Sequence, residues 1–214
     1  KNISTTVPLS MTQREQILAL RAWANVRAVS ATKTASLKQY TKEIDTENVI
    51  EVGSIEDLTS NLVDGKTLKL TEDLVDILPI VITEGNITID LNGHNITAKT
   101  FTESGGNIID DNSNSDSYVF WVKGGHLTIK GNGKVIAAPA DYSMAVWSNG
   151  GDVTIENGYY ENGGESCTLI YGSARKDENG ERIGGTIIIY GGEFKATLIG
   201  EQAGTGDKRT ALNT

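Results

Sequence analysis

The sequence predicts a mainly β protein, because one short strand pattern recurs along it. Each copy has an aliphatic residue, a spacer, an Ile, a polar or aromatic residue and then a Gly-bearing turn. Such period-2 alternation gives a strand one apolar face. A strand of this kind cannot bury that face alone, but repeated copies can stack on one another. The four copies are residues 87–93, 127–133, 153–158 and 187–192.

A second set of residues aligns with the first. Residues 120–127 match residues 146–153 position for position through a Gly-Gly pair, and a third copy begins at residue 170. The first residues of the four strand copies lie 40, 26 and 34 positions apart, which insertions at turns explain. We therefore predict a right-handed parallel β-helix, a solenoid, over residues 48–200. A β-sandwich is the alternative, but it does not require two columns to align in register.

Three local signals mark the beginning of this body and one of its insertions. Asn179-Gly180, in the segment that interrupts the third copy, predicts a hairpin. Residues 49–52 predict an opening strand. After it, Ser54 begins a short amphipathic capping helix that Gly65 is expected to end. This helix would cover the open first edge of the stack.

Charge divides the chain into two parts. Residues 1–47 carry seven Lys and Arg against four Asp and Glu, a net of +3, and the remainder carries twelve against twenty-four, a net of −12, which sum to −9. An acidic body argues against nucleic acid as a partner. No apolar run reaches the length of a membrane span.

The N-terminal arm, residues 1–47, contains a predicted helix from about residue 11 to 30. Its apolar surface is too broad for a solvated helix, so it packs on its own domain, on copies of itself or on a host structure. These alternatives remain open. The candidate docking residues are Ile17, Leu18, Leu20, Trp23 and Val26.

Residues 49–97, with the runs TLKLTEDL and ITIDLNGHNIT, resemble the beginning of right-handed parallel β-helix proteins, in particular fibres and spikes of tailed bacteriophages. The resemblance implies a virion structural protein, a head fibre, tail fibre or tailspike subunit. It implies docking on capsid or tail proteins through the N-terminal arm, a projecting β-structure for host attachment, and a homotrimer. The sequence shows no secretory signal, which together with the apolar arm favours a virion appendage over a secreted enzyme.

One outward column is the best candidate for catalysis: Asp90, Lys130, Glu156 and Tyr190. Two carboxylates about 10 Å apart on stacked strands would suit inverting glycoside hydrolysis. A ladder of alternating charges would instead stabilise the stack. We favour the ladder, because a Lys between the acids neutralises both. No catalytic residue is predicted, and a polysaccharide-degrading enzyme or a bacterial surface adhesin remains the alternative.

Metal and cofactor sites are not predicted. Residues 110–116 are rich in oxygen ligands but lack the pattern of an EF-hand, so we expect a solvated loop. His94 and His126 are expected at the surface, and Cys167 is expected to be a small buried side chain.

Aromatic residues form a further column: Trp121, Trp147 and Tyr171. Their neighbours Phe120, Val146 and Ile170 form an adjacent column, and only one of the two columns can face the core. Aliphatic side chains suit a narrow core better, so we predict that the aromatic column faces outward. There it would serve as a subunit interface or a surface that stacks a ligand such as a host polysaccharide.

Beyond residue 200 the pattern fades. Residues 201–214 are predicted to be a C-terminal linker or a truncated continuation of the body.

Overall fold

The structure is a computed structural model that describes residues 48–164 and 168–196, together with the short strand Leu212–Asn213. The predictions for residues 1–47, including the five docking residues, and for Cys167 lie outside the described residues, as does most of the C-terminal segment. Within the described residues the fold is mainly β with parallel sheets, as predicted. No helix in this part of the chain has the length and apolarity to cross a membrane.

Three parallel sheets of six, five and five strands make up the body. In spatial order, sheet 1 contains β1 Val49–Val52, β2 Thr67–Leu70, β5 Asn86–Asp90, β10 His126–Lys130, β13 Asp152–Ile155 and β18 Ile187–Ile189. Sheet 2 contains β3 Leu74–Ile77, β6 Asn95–Ala98, β11 Lys134–Pro139, β14 Tyr159–Gly163 and β19 Glu193–Lys195. Sheet 3 contains β4 Ile80–Ile82, β9 Asp116–Val122, β12 Tyr142–Asn149, β15 Ile170–Ser173 and β20 Leu212–Asn213.

After β1, the chain visits sheets 1, 2 and 3 in turn, so that one strand from each sheet forms a repeat. Each strand pairs in parallel with its equivalents in the neighbouring repeats. Leu127 lies opposite both Ile87 and Val153, and Val153 lies opposite Ile187. The predicted placement of these four residues in neighbouring parallel positions is confirmed.

Two antiparallel hairpins interrupt the repeats. The first, β7 Thr102–Ser104 and β8 Asn107–Ile109, lies between β6 and β9 and accounts for the longest spacing in the sequence. The second, β16 Arg175–Lys176 and β17 Arg182–Ile183, lies between β15 and β18 and carries Asn179-Gly180. The second hairpin confirms the prediction made from that dipeptide.

The main core lies between the three sheets and is built from columns of aliphatic side chains. Ile87, Leu127 and Val153 are at most 1% exposed, and Ile89 and Ile129 are completely buried. Removing one such side chain from water contributes about 1.5–3 kcal/mol. Because equivalent positions coincide in every repeat, each aliphatic column continues from one repeat to the next.

The predicted capping helix is present as α1, Ile55–Ser60. Ser54 Oγ accepts a hydrogen bond from the backbone N–H of Asp57 at 3.0 Å, and Leu58 is fully buried against the main core. The predicted end at Gly65 is wrong. Asn61 ends the helix, because its backbone N–H donates to Leu58 O and its side-chain amide donates to Asp57 O at 2.8 Å.

The repeated Gly-Gly pairs have a packing explanation. A Cβ on Gly151 would lie 2.7 Å from Gly124 O and 2.8 Å from Gly124 N in the preceding repeat. A Cβ on Gly185 would approach Gly151 O more closely still. The turns into sheet 1 therefore stack backbone on backbone, and only glycine leaves room for that approach.

We predict that Gly151→Ala lowers the free energy of unfolding by about 1–3 kcal/mol, because the new methyl group has no space between the stacked turns. Gly184→Ala is the matched control. Its Cβ would meet its nearest neighbour, Ala174, at 4.0 Å, which is ordinary van der Waals contact. Chemical denaturation followed by circular dichroism measures both. Equal losses in the two variants would contradict the explanation.

Candidate ligand-binding groove

Two neighbouring columns of side chains in sheet 3 point to opposite faces of the sheet. Phe120, Val146 and Ile170 lie in the main core, whereas the aromatic column lies outside it, as predicted. Trp147 lies opposite Trp121 on one side and Tyr171 on the other. The ring centroids of Trp121 and Trp147 are 4.8 Å apart with planes 4° apart, and those of Trp147 and Tyr171 are 6.2 Å apart with planes 30° apart.

This stacking decides which part of each ring can meet a ligand. Both faces of Trp147 are covered by its neighbours in the column, so the edge of the ring remains for other contacts. Its indole N–H donates to Ser173 Oγ at 2.8 Å. Trp121 is only 3% exposed. The interface and stacking roles of Trp121, Trp147 and Tyr171 stay predictions.

Residues 101–116 cover part of the aromatic column and form a second apolar cluster that includes Trp147 and Tyr171. Phe101 packs edge-on against Tyr118 with ring centroids 5.1 Å apart, and Tyr118 packs edge-on against Trp147 at the same distance. Tyr118 reaches this side because Val119 and Phe120 both lie in the main core, which interrupts the alternation along β9. The aromatic column is therefore a second packing surface.

Asp116 joins residues 101–116, which we call the inserted segment, to the rest of sheet 3. One carboxylate oxygen accepts from the backbone N–H of Glu103 at 2.8 Å, and the other accepts from the hydroxyl of Tyr118. Asp116 is 6% exposed. The prediction of a solvated loop over residues 110–116 is therefore wrong for Asp116, because these two donors compensate its burial.

Burial raises the pKa of Tyr118 far above its ordinary value, and the hydrogen bond to Asp116 raises it further. The phenol therefore stays protonated and acts as a donor to the carboxylate. This part of the cluster is a fixed polar contact inside an aromatic environment.

A groove of about 420 Å³ opens beside this contact, between the inserted segment and the outer side of sheet 3. Its volume lies within the usual range for small-molecule sites, roughly 300–1,000 Å³. One group of lining side chains is apolar or aromatic: Tyr118, Tyr142, Met144, Trp147 and Tyr171. The other group is polar: Thr102, Glu103, Ser115, Asp116, Asp141 and Thr168. The groove therefore suits a ligand with both an apolar surface and hydrogen-bonding groups.

Sequence reasoning missed the hairpin that forms one wall of the groove. Gly105 and Gly106 both have positive φ, 60° and 88°, as a two-residue hairpin turn requires. This Gly-Gly pair between two short polar strands was the available signal. The flanking residues lack apolar alternation, so they do not predict strands on either side of the turn.

The column considered for catalysis is a charge ladder on the outer face of sheet 1. Asp90 lies opposite Lys130, with the ammonium 3.8 Å from the carboxylate, and Lys69 lies 3.7 Å from Glu51 in the preceding strands. Glu156 follows the end of β13 and is exposed, and Tyr190 is 75% exposed. The ladder that we favoured is confirmed for Asp90 and Lys130.

The two histidines make side-chain contacts in the stack. His94 Nδ1 lies 3.4 Å from Asp73, and His126 Nε2 lies 2.8 Å from Thr154 Oγ1 in the next repeat. Both are partly buried. In the described part of the chain, no group of three or more His, Cys, Asp or Glu side chains is arranged to hold a metal ion.

Comparison with protein-family models, curated proteins and solved structures finds no match to the chain.

We predict that Asp116→Ala lowers the free energy of unfolding by about 2 kcal/mol, because the Tyr118 hydroxyl and the Glu103 N–H lose their acceptor. Asp110→Ala, in the same segment, is the control. Its exposed ion pair with Lys99 is worth at most about 1 kcal/mol. In a double-mutant cycle, Tyr118→Phe should cost less in the Asp116→Ala background than in the native chain. Additive losses would contradict the proposed anchor.

Acid should weaken the inserted segment through Asp111. A hydrogen bond from Thr102 Oγ1, with a second from the Ser113 backbone, holds the pKa of Asp111 below its ordinary value. A lowered folded-state pKa contributes stability that is present above the unfolded pKa of about 3.9 and is lost as pH falls through the lower folded value.

Asp111→Asn cannot titrate, so its stability should fall less steeply than that of the native chain below about pH 4. The measurement is the free energy of unfolding as a function of pH for both proteins. Parallel curves would show that Asp111 has no part in the acid response.

Proposed function

We propose that the described residues form a right-handed parallel β-helix and that this body belongs to a virion attachment protein, a head fibre, tail fibre or tailspike subunit. The observation that carries the proposal is the in-register parallel pairing of equivalent residues from repeat to repeat across three sheets. Right-handed connections are the rule between parallel strands of one sheet. The resemblance of residues 49–97 to phage fibres and spikes supplies the class of protein.

A stack of this kind suits a projecting structure. Each repeat contacts only its neighbours, so the stack can lengthen without a larger core. Backbone hydrogen bonds and aliphatic columns run through it, which favours rigidity. In this proposal the N-terminal arm, residues 1–47, docks on capsid or tail proteins and assembles the chain as a homotrimer. The body, located in the virion, meets the host surface.

The sequence leaves two alternative functions open, a polysaccharide-degrading enzyme and a bacterial surface adhesin. The pairing of Asp90 with Lys130 argues for a structural use of that column. The adhesin shares a binding role with the fibre and differs in where the chain is anchored. Assembly and cleavage are therefore measured together.

We predict that the full chain is a trimer by native mass spectrometry and that Leu18→Asp in the N-terminal arm dissociates it, because a charge replaces an apolar docking residue. Gln13→Asp introduces the same charge at a polar position of the arm and should leave the trimer intact. Circular dichroism checks that the β body is unchanged in both variants.

Antibodies against the chain should label an appendage of intact virions. A chain that is monomeric and releases oligosaccharides from an acidic polysaccharide would overturn the attachment proposal in favour of the enzyme. Labelling of a bacterial surface in the absence of virions would favour the adhesin.

A further inference from the structure

The groove between residues 101–116 and sheet 3 is lined by acidic side chains and by no described basic one. Three acidic side chains line it, Glu103 from β7, Asp116 from β9 and Asp141 just before β12, and none of the described lining residues is basic. Two nearby lysines are engaged elsewhere. Lys99 pairs with Asp110 at 2.5 Å, and Lys123 lies 4.2 Å above the ring of Trp121. Among the acids, Asp116 accepts from its two donors, and Glu103 Oε1 accepts from the backbone N–H of Gly106. With no basic side chain in the described lining, the carboxylates still favour a cation in the groove.

The aromatic residues add to this preference. Tyr142, which lines the groove, is 55% exposed, so its ring is accessible to a ligand. Aromatic faces and nearby carboxylates together form the environment in which proteins bind ammonium groups. Since the ring faces of Trp147 are covered within the column, Tyr142 is the better candidate for direct ring contact with a ligand.

The groove is also larger than an ammonium group alone requires, and its lining side chains include hydroxyl groups as well as acids. Its volume is about 420 Å³, and the hydroxyl side chains of Ser115 and Thr168 line it together with the acids. Hydroxyls and carboxylates are the usual partners of sugar hydroxyl groups, and exposed aromatic rings pack against the apolar faces of sugars.

We propose that this groove binds a saccharide that carries an ammonium group, such as an unacetylated amino sugar. The proposal rests on the attachment function proposed above, because it names the surface chemistry that the body would meet on a host. Glu103 and Asp141 hold the ammonium group, Tyr142 packs on the sugar, and Asp116 keeps the wall of the groove in place. Anionic polysaccharides are repelled by the same carboxylates.

The test is calorimetric titration of the full chain with three tetrasaccharides. The glucosamine tetramer carries an ammonium on each ring, its N-acetylated form keeps the skeleton without the charge, and the galacturonate tetramer carries carboxylates. At about pH 5–6 the glucosamine tetramer should bind at least roughly tenfold more tightly than the N-acetylated form, because only the glucosamine tetramer carries ammonium groups that the carboxylates attract. The galacturonate tetramer should not bind. Equal or tighter binding of the neutral form would overturn the proposal.

Substitutions of the lining residues test whether the glucosamine tetramer binds in the groove. Glu103→Gln and Asp141→Asn should each weaken glucosamine-tetramer binding by roughly tenfold, because each removes one charge near the ammonium group. Tyr142→Ala should weaken it as well. The chain carries a net charge of −9, so a cation can also bind through bulk charge. Glu156→Gln is the matched control, since it removes one exposed acid that does not line the groove.

Equal weakening by Glu156→Gln and Glu103→Gln would show bulk attraction only and would overturn the site. Tighter binding of tetralysine than of the glucosamine tetramer would overturn the saccharide and favour a basic protein segment. These outcomes are separable from the attachment proposal. A trimer on virions that does not bind the glucosamine tetramer overturns the ligand alone, and a monomer that binds it overturns the assembly alone.

Discussion

The parallel, in-register pairing of one repeat with the next is the constraint on which the rest of the structure depends. A residue in sheet 1 that points into the main core has an equivalent residue above it and another below, as with Ile87, Leu127 and Val153. A slip of one residue would turn every such side chain to solvent. The same register brings the Gly-Gly turns into backbone contact and stacks the aromatic rings of sheet 3.

Register also explains why the outer faces of the sheets differ. On sheet 1 the outer positions carry charges, and equivalence between repeats produces the alternating column of Glu51, Lys69, Asp90 and Lys130. On sheet 3 the outer positions carry aromatic rings, which need a cover if they are to leave water. The inserted segment supplies that cover through Phe101. The same register between repeats thus produces a solvated charged face on sheet 1 and a second packing surface on sheet 3.

The sequence was sufficient for features that depend on equivalence between repeats. The copies around residues 87, 127, 153 and 187 are paired as predicted, and Phe120, Val146 and Ile170 face the core as predicted. It was insufficient where a contact joins segments that share no pattern. Asp116 belongs to an acidic, polar run that is typical of solvated loops, and only the fold places Glu103 N and the Tyr118 hydroxyl beside it.

The groove follows from one long connection placed beside short ones. Between sheets 2 and 3 the second repeat inserts the hairpin β7–β8, whereas the third repeat passes from Pro139 to Tyr142 in two residues. The long connection folds over the outer side of sheet 3. The short connection in the next repeat brings Asp141 and Tyr142 to the lining of the groove. Because the connection lies outside the ladder, its length and composition can change without altering the register of the strands. The residues that line such a groove can therefore change, while the parallel pairing of the repeats keeps the strands beneath it in register.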